Sequence, residues 1–252
     1  MNRKKNSGYL LKGRCVIMYQ DIRYPPGGSS RDRKSGVEMP IAHHLGQSDE
    51  APNGQLAYEL VQNSDTIGIS EIAAGLDDQN EKIAADCLKV LYEVSYRNPM
   101  LVSAYRNKFI SLLRSKNNRM IWGASIALAQ IAPFHREALF HELDEILEVY
   151  RKGSVITVDN CIRLFAEIAI GDKEREERIF PILIEHLSKC RLKEIPQHAE
   201  SIAVCVTRNN FRTFKEEIEK RCSLLTDSQK KRVGRLFKIL EKGSRNNHPN
   251  NG

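Results

Sequence analysis

Phe109-Ile-Ser-Leu-Leu-Arg-Ser-Lys-Asn-Asn-Arg-Met-Ile-Trp-Gly-Ala-Ser-Ile-Ala-Leu-Ala-Gln-Ile131 is the stretch on which the fold turns. Phe109, Ile110, Leu112 and Leu113 are apolar, and a polar run from Arg114 to Asn118 follows. Met120, Ile121, Ala124, Leu128 and Ile131 then recur at helical spacing. That spacing gathers the second set on one helix face, and the period of two that marks a strand is missing.

The same stripe recurs at a period of 37 residues. Upstream it reads Ile83, Ala84, Cys87, Leu88, Leu91 and Val94; downstream it reads Thr157, Val158, Cys161, Ile162, Phe165 and Ile168. One further period reaches Ala199, Ile202 and Cys205. Each stripe has a companion helical segment, which predicts the pairs 67–76 with 81–96, 100–114 with 119–132, 137–151 with 157–170, 174–189 with 196–207, and 211–223 with 228–241, after a short helix at 56–63. The punctuation agrees. Asn98-Pro99 reads as a cap and a first helical residue. Gly171 and Asp172 divide two helices, Pro196 opens one, Thr226 and Gln229 form a capping box, and Gly243 stops the last.

Helix pairs at this period cannot bury their faces alone and stack into a solenoid. The expectation is an all-α chain, a right-handed α-α superhelix of about five helix pairs over residues 56–242. Pro25-Pro26-Gly27-Gly28-Ser29-Ser30 and its polar surroundings predict a disordered or irregular segment at 1–55, and Gly-Ser-Arg-Asn-Asn-His-Pro-Asn-Asn-Gly predicts a disordered tail at 243–252.

The segment Phe109–Ile131 resembles the HEAT-repeat family of armadillo-type α-solenoids, with a leucine-rich first helix, a polar turn, and a second helix carrying a small residue where helices touch. Asp77-Asp-Gln-Asn-Glu-Lys-Ile-Ala-Ala85 resembles the same turn one repeat earlier. The resemblance implies an architecture that serves scaffolds, adaptors and a few enzymes. It also implies that the second helix of each pair lines the concave, binding face.

On that face the stripes leave Lys82, Asp86, Lys89, Tyr92, Glu93 and Tyr96 outward on the first helix. The second shows Arg119, Trp122, Gly123, Ile126 and Gln130, and the third shows Asp159, Asn160, Arg163 and Glu167. Aromatics amid mixed charge are the composition of a protein-binding hot spot. The expected partner contacts are Lys89, Tyr92, Tyr96, Trp122, Gln130, Asp159 and Arg163. Trp122 fits an exposed anchor and a packed core residue equally well.

Charge separates the ends from the middle. The chain carries a formal +7, but residues 51–207 hold 18 basic and 22 acidic side chains, whereas residues 208–252 hold 12 and five. Phosphate binding needs a contiguous positive surface. The candidate for an anionic partner is therefore the last helix, where Lys230, Lys231, Arg235 and Lys238 surround an apolar side of Val233, Leu236, Phe237 and Leu240.

The motifs of nucleotide-binding loops, nucleophile elbows and zinc proteases are missing. The six cysteines form no C-x-x-C pair and read as reduced thiols. His186 and His198 read as ordinary helical histidines, and neither a metal nor a cofactor is expected. No apolar run is long enough to span a bilayer, and a secretory signal is not expected, so the cytoplasm is the expected location. The resulting expectation is a non-catalytic scaffold or adaptor that binds a partner helix or peptide. The alternative is a nucleic-acid-binding solenoid similar to alkylpurine DNA glycosylases, with Trp122 and Asp159 at equivalent positions of adjacent repeats.

Overall fold

The computed structural model describes residues 40–47 and 49–245, so the expectation for residues 1–39 lies outside it. The chain divides into two compact units whose border falls between Arg175 and Glu176. Among the described residues all regular structure is helical, and no helix is long and apolar enough to cross a membrane.

In the first unit the helices are α1 (Ala51–Gln62), α2 (Thr66–Ala74), α3 (Glu81–Arg97), α4 (Arg106–Leu112), α5 (Asn118–Ile131), α6 (Arg136–His141), α7 (Leu143–Lys152) and α8 (Val155–Ile168). Short polar residues start them. The carboxylate of Asp65 accepts from Gly68 N–H at 2.8 Å, Asn80 from Lys82 N–H at 3.0 Å, and Asn117 from Arg119 N–H at 2.9 Å. Each satisfies a donor that the first helical turn would leave orphaned. Gly171, at φ +78°, closes the region after α8, a left-handed conformation that glycine adopts without steric cost.

Helices α3, α5 and α8 form one packed layer, α5 lying against both others. The predicted stripes supply its core: Leu88, Leu91, Leu128, Ile131 and Phe165 are almost wholly buried. The companion helices are less regular than expected. The second pair's first helix opens as a 3-10 stretch, Pro99–Tyr105, before α4, and the third pair's is broken into α6 and α7. Asn98 makes no side-chain cap there, contrary to the reading of Asn98-Pro99.

The N-terminal border also differs from the expected residue 55. Helix α1 begins at Ala51, and Ile41 and Ala42 are buried ahead of it, with the Ala42 N–H donating to the buried Asn53 Oδ1 at 2.8 Å. Proline and glycine in 51–54 suggested a linker, but Pro52 occupies an opening helical position where its missing N–H costs nothing.

The second unit contains most of α9 (Lys173–Lys189), then α10 (Ile195–Ile202), α11 (Phe211–Glu219) and α12 (Asp227–Arg245), with α10 packed on α12. Asp172 caps α9 through the Arg175 N–H at 2.9 Å. Thr226 and Gln229 form the predicted box, Thr226 N–H donating to Gln229 Oε1 at 2.9 Å and Gln229 N–H to Thr226 Oγ1 at 3.4 Å. Gly243 does not end the last helix, which runs through to Arg245.

The α3–α5 approach is set by Gly123. A Cβ there would lie 2.7 Å from Leu88 Cδ2 and 3.0 Å from its Cγ, and Leu88 is buried on every side. Gly123→Val is expected to lower stability by about 1–3 kcal/mol through overpacking, read as a reduced urea midpoint at unchanged slope.

Candidate partner-binding face

Three aromatic rings run across α3 and α5. Tyr92 is the middle one, with its centroid 6.2 Å from Tyr96 in an edge-on arrangement and 5.7 Å from Trp122. These are the separations at which aromatic quadrupoles attract. Tyr96 and Trp122 are partly exposed, whereas Tyr92 is 5% exposed. The expectation that Tyr92 itself contacts a partner is therefore corrected: its ring is a buried support for the other two. Burial pushes its hydroxyl pKa upward, against the pull of the neighbouring Lys89. Trp122, which the sequence left between anchor and core, has one side against Tyr92 and the other partly open.

A closed set of charges surrounds the rings. Lys89 Nζ sits 4.7 Å above the Tyr92 ring and 2.8 Å from Glu93 Oε1, and Glu93 also takes Arg97 at 2.7 Å. Glu50, ahead of α1, lies 3.5 Å from Lys89 and pairs with Arg119 on α5. Arg119 is also 3.4 Å from Asp86, whose second oxygen accepts from the His43 N–H at 2.9 Å. Burial opposes charge on both Lys89 and Glu93. The hydrogen bonds between them outweigh it, so the ammonium pKa is raised and the carboxyl pKa lowered.

Asp86, Glu93 and Ile126 were expected to point outward and are buried. For Asp86 the reason lies ahead of α1, in a segment read as a tail, where the His43 N–H donates to it; Glu93 is paired with Lys89 and Arg97 on its own helix. In the structure α1 packs on α3, and the segment before it is tied to α3 and α5 through Asp86, Lys89 and Arg119. Lys89 is thus committed to partners within the chain.

Farther along the same layer, Gln130 on α5 meets Arg163 on α8. With the amide oxygen turned toward the guanidinium, the closest approach is 2.9 Å. Asp159 is partly exposed one turn earlier on α8, while its neighbour Asn160 is buried and donates to Ile156 O at 2.8 Å. Cys87 and Cys161 pack as small hydrophobes. Burial, foremost, pushes both thiols up to about 12, which keeps them protonated and unreactive.

In the second unit Lys230, Lys231, Arg235 and Lys238 are all exposed on α12, and three of them line an open depression of about 440 Å³ with Ser228 and Gly234. The sequence reading missed one group entirely. His186, Cys190 and His198, separated in the sequence and read singly, come together between α9 and α10. The signal available was the spacing of His186 and Cys190, four apart on one helix face.

No protein-family model matches the chain, and no curated protein resembles it in sequence. Solved structures do. A computationally designed armadillo repeat protein for modular peptide recognition matches with a TM-score of 0.59 at 17% identity, over 80% of this chain and 99% of that one. Another designed armadillo repeat protein matches at 0.54 and 16% identity, over 81% and 100%. An engineered protein from a structural genomics programme matches at 0.55 and 16%, over 79% and 94%. The fold is an armadillo-type repeat solenoid.

The Glu93 pairings predict a pH dependence. Because its folded pKa is depressed, its contribution is fully present above the ordinary glutamate value, about 4.3. It is lost as pH falls through the lower folded value. Glu93→Gln is expected to lower the denaturation midpoint at neutral pH, with the gap to the native chain narrowing as the pH falls below the ordinary glutamate value.

Proposed function

We propose that the chain is a non-catalytic binding module whose α3–α5–α8 face receives a helix or peptide from a partner protein. The observation that carries this reading is the aromatic row. Trp122 and Tyr96 each offer a partly open ring, and both rest on a third ring that is buried and held by Lys89. Aromatic side chains held in place lose little entropy on binding and are the usual anchors of interface hot spots.

Gln130, Asp159 and Arg163 extend the face along α5 and α8 and would orient a polar partner segment. Lys89 and Tyr92 act one layer beneath, positioning the rings. The similar structures support this assignment, since they are designed repeat proteins and one was made for modular peptide recognition. They are compatible with a chain that carries no reaction.

Trp122 is the only tryptophan in the chain, so its emission reports directly on this face. Peptides selected from a displayed library against the full chain are expected to shift that emission on titration. Trp122→Ala, with an unchanged circular dichroism spectrum, should weaken their binding at least tenfold (about 1.4 kcal/mol). Raising salt from 50 to 200 mM should change the affinity only slightly. Peptides that bind the Trp122→Ala variant as well as the native chain would remove this face from the function. Recovery of nucleic acid alone, with the roughly thousandfold salt sensitivity of phosphate contacts, would move the assignment to Lys230, Lys231, Arg235 and Lys238 on α12.

A further inference from the structure

In the second unit, α9 and α10 bring two imidazoles and a thiol to one point. His186 Nε2 and His198 Nδ1 are 2.7 Å apart, their ring centroids 4.6 Å apart. One ligand atom from each of His186, Cys190 and His198 lies within 4.8 Å of the other two, and among the described residues no other His, Cys, Asp or Glu trio converges in this way. The three residues are 7%, 8% and 1% exposed. Local structure fixes them: His186 lies in the last turn of α9, Cys190 directly follows the helix with its N–H donating to His186 O at 2.8 Å, and Pro196 at the start of α10 sets the turn that carries His198.

Two imidazole nitrogens at this distance share one proton. A proton is the smallest cation that this arrangement of lone pairs can hold, and the sulfur stands beside it. We propose that His186, Cys190 and His198 form a binding site for a divalent transition metal of borderline softness, of which Zn²⁺ suits the donors best. Two nitrogens and one sulfur favour such an ion, whereas Mg²⁺ and Ca²⁺ require oxygen ligands. Metal–nitrogen bonds of about 2.0–2.1 Å and a metal–sulfur bond of about 2.3 Å place the three donors a little over 3 Å from one another. The two imidazole nitrogens then part by about 0.6 Å from their present 2.7 Å.

The protons balance simply. On binding, the Cys190 thiol gives its proton to solvent and the sulfur–metal bond forms. The proton between the imidazoles moves to the outer nitrogen of its own ring, so both rings remain neutral and each donates a lone pair. No electron is transferred, and one proton leaves per metal bound. Arg221 Nη1 lies 3.9 Å from Cys190 Sγ and 2.7 Å from Leu187 O, in place to hydrogen-bond a thiolate from outside the ligand set. Three protein ligands leave the fourth tetrahedral position to water.

The test uses the full chain, reduced and stripped with a chelator, titrated with Co²⁺ and then Zn²⁺. One equivalent of Co²⁺ should produce tetrahedral visible bands and a thiolate-to-cobalt band in the near ultraviolet, which Zn²⁺ then bleaches. Release of one proton per metal accompanies it. Cys190→Ser should abolish the charge-transfer band and Cys222→Ser should keep it, while His186→Gln weakens binding at least tenfold. X-ray absorption at the zinc edge of the native chain should report one sulfur and three nitrogen or oxygen neighbours (two imidazoles and a water), a readout that does not depend on any variant folding. No band at stoichiometric Co²⁺, a band that survives in folded Cys190→Ser, or a zinc shell without sulfur overturns the site.

Discussion

The close approach of α3 to α5 at Gly123 is the contact on which the first unit depends. A solenoid repeat has no core of its own, so each second helix must lie against the next closely enough to exclude water along its whole length. At Gly123 the α5 backbone comes so near Leu88 that a methyl group has no room. That nearness also brings Tyr92 on α3 beneath Trp122 on α5, because the Tyr92 ring edge would lie 3.5 Å from the same missing methyl. One small residue thus sets the helix spacing and builds the aromatic row, and helix packing and ring arrangement cannot be varied independently there.

The N-terminal segment adds a second constraint. Glu50 and the His43 backbone reach charges on α3 and α5, adding a further partner to Lys89, Arg119 and Asp86, which also pair with Glu93 or with each other. Residues 40–47 and Glu50 thus belong to the folded unit, with Ile41 and Ala42 buried, although their composition alone resembles a linker.

How much of this was legible follows from what each feature requires. The 37-residue stripe is a property of residue type and order, so helix positions through α12 could be read directly, with Asp172 and the Thr226–Gln229 box marking their ends. Burial on the opposite side of α3 depends on which segment folds over it, and nothing in the pattern of α3 tells that α1 does so. Asp86, which accepts from the His43 N–H, was misplaced for that reason, whereas Tyr92 is covered from α5 by Trp122. His186, Cys190 and His198 were opaque for a different one: only the His186–Cys190 spacing is local, and the third member arrives through the turn between α9 and α10. Asn98-Pro99 failed locally: Pro99–Tyr105 opens as a 3-10 stretch, in which the Leu101 N–H bonds to the Asn98 backbone carbonyl and not to its side chain.

The charges around the aromatic row decide what kind of partner it can recognise. Lys89, Arg97 and Arg119 face Glu50, Asp86 and Glu93, three cations against three anions, and every one of the six has a counterpart within the chain. A partner charge brought to this network must displace an internal one and so gains little net energy. The rings of Trp122 and Tyr96 carry no charge and are partly exposed. Water is therefore more cheaply removed from Trp122 and Tyr96 than from the charges beside them, and apolar contact and shape dominate at this end of the face. Toward Gln130 and Arg163 the layer becomes polar and hydrogen-bonding, which gives a partner segment laid along it a direction. A peptide with an apolar anchor at one end and polar side chains at the other matches that order, whereas a uniformly anionic backbone does not.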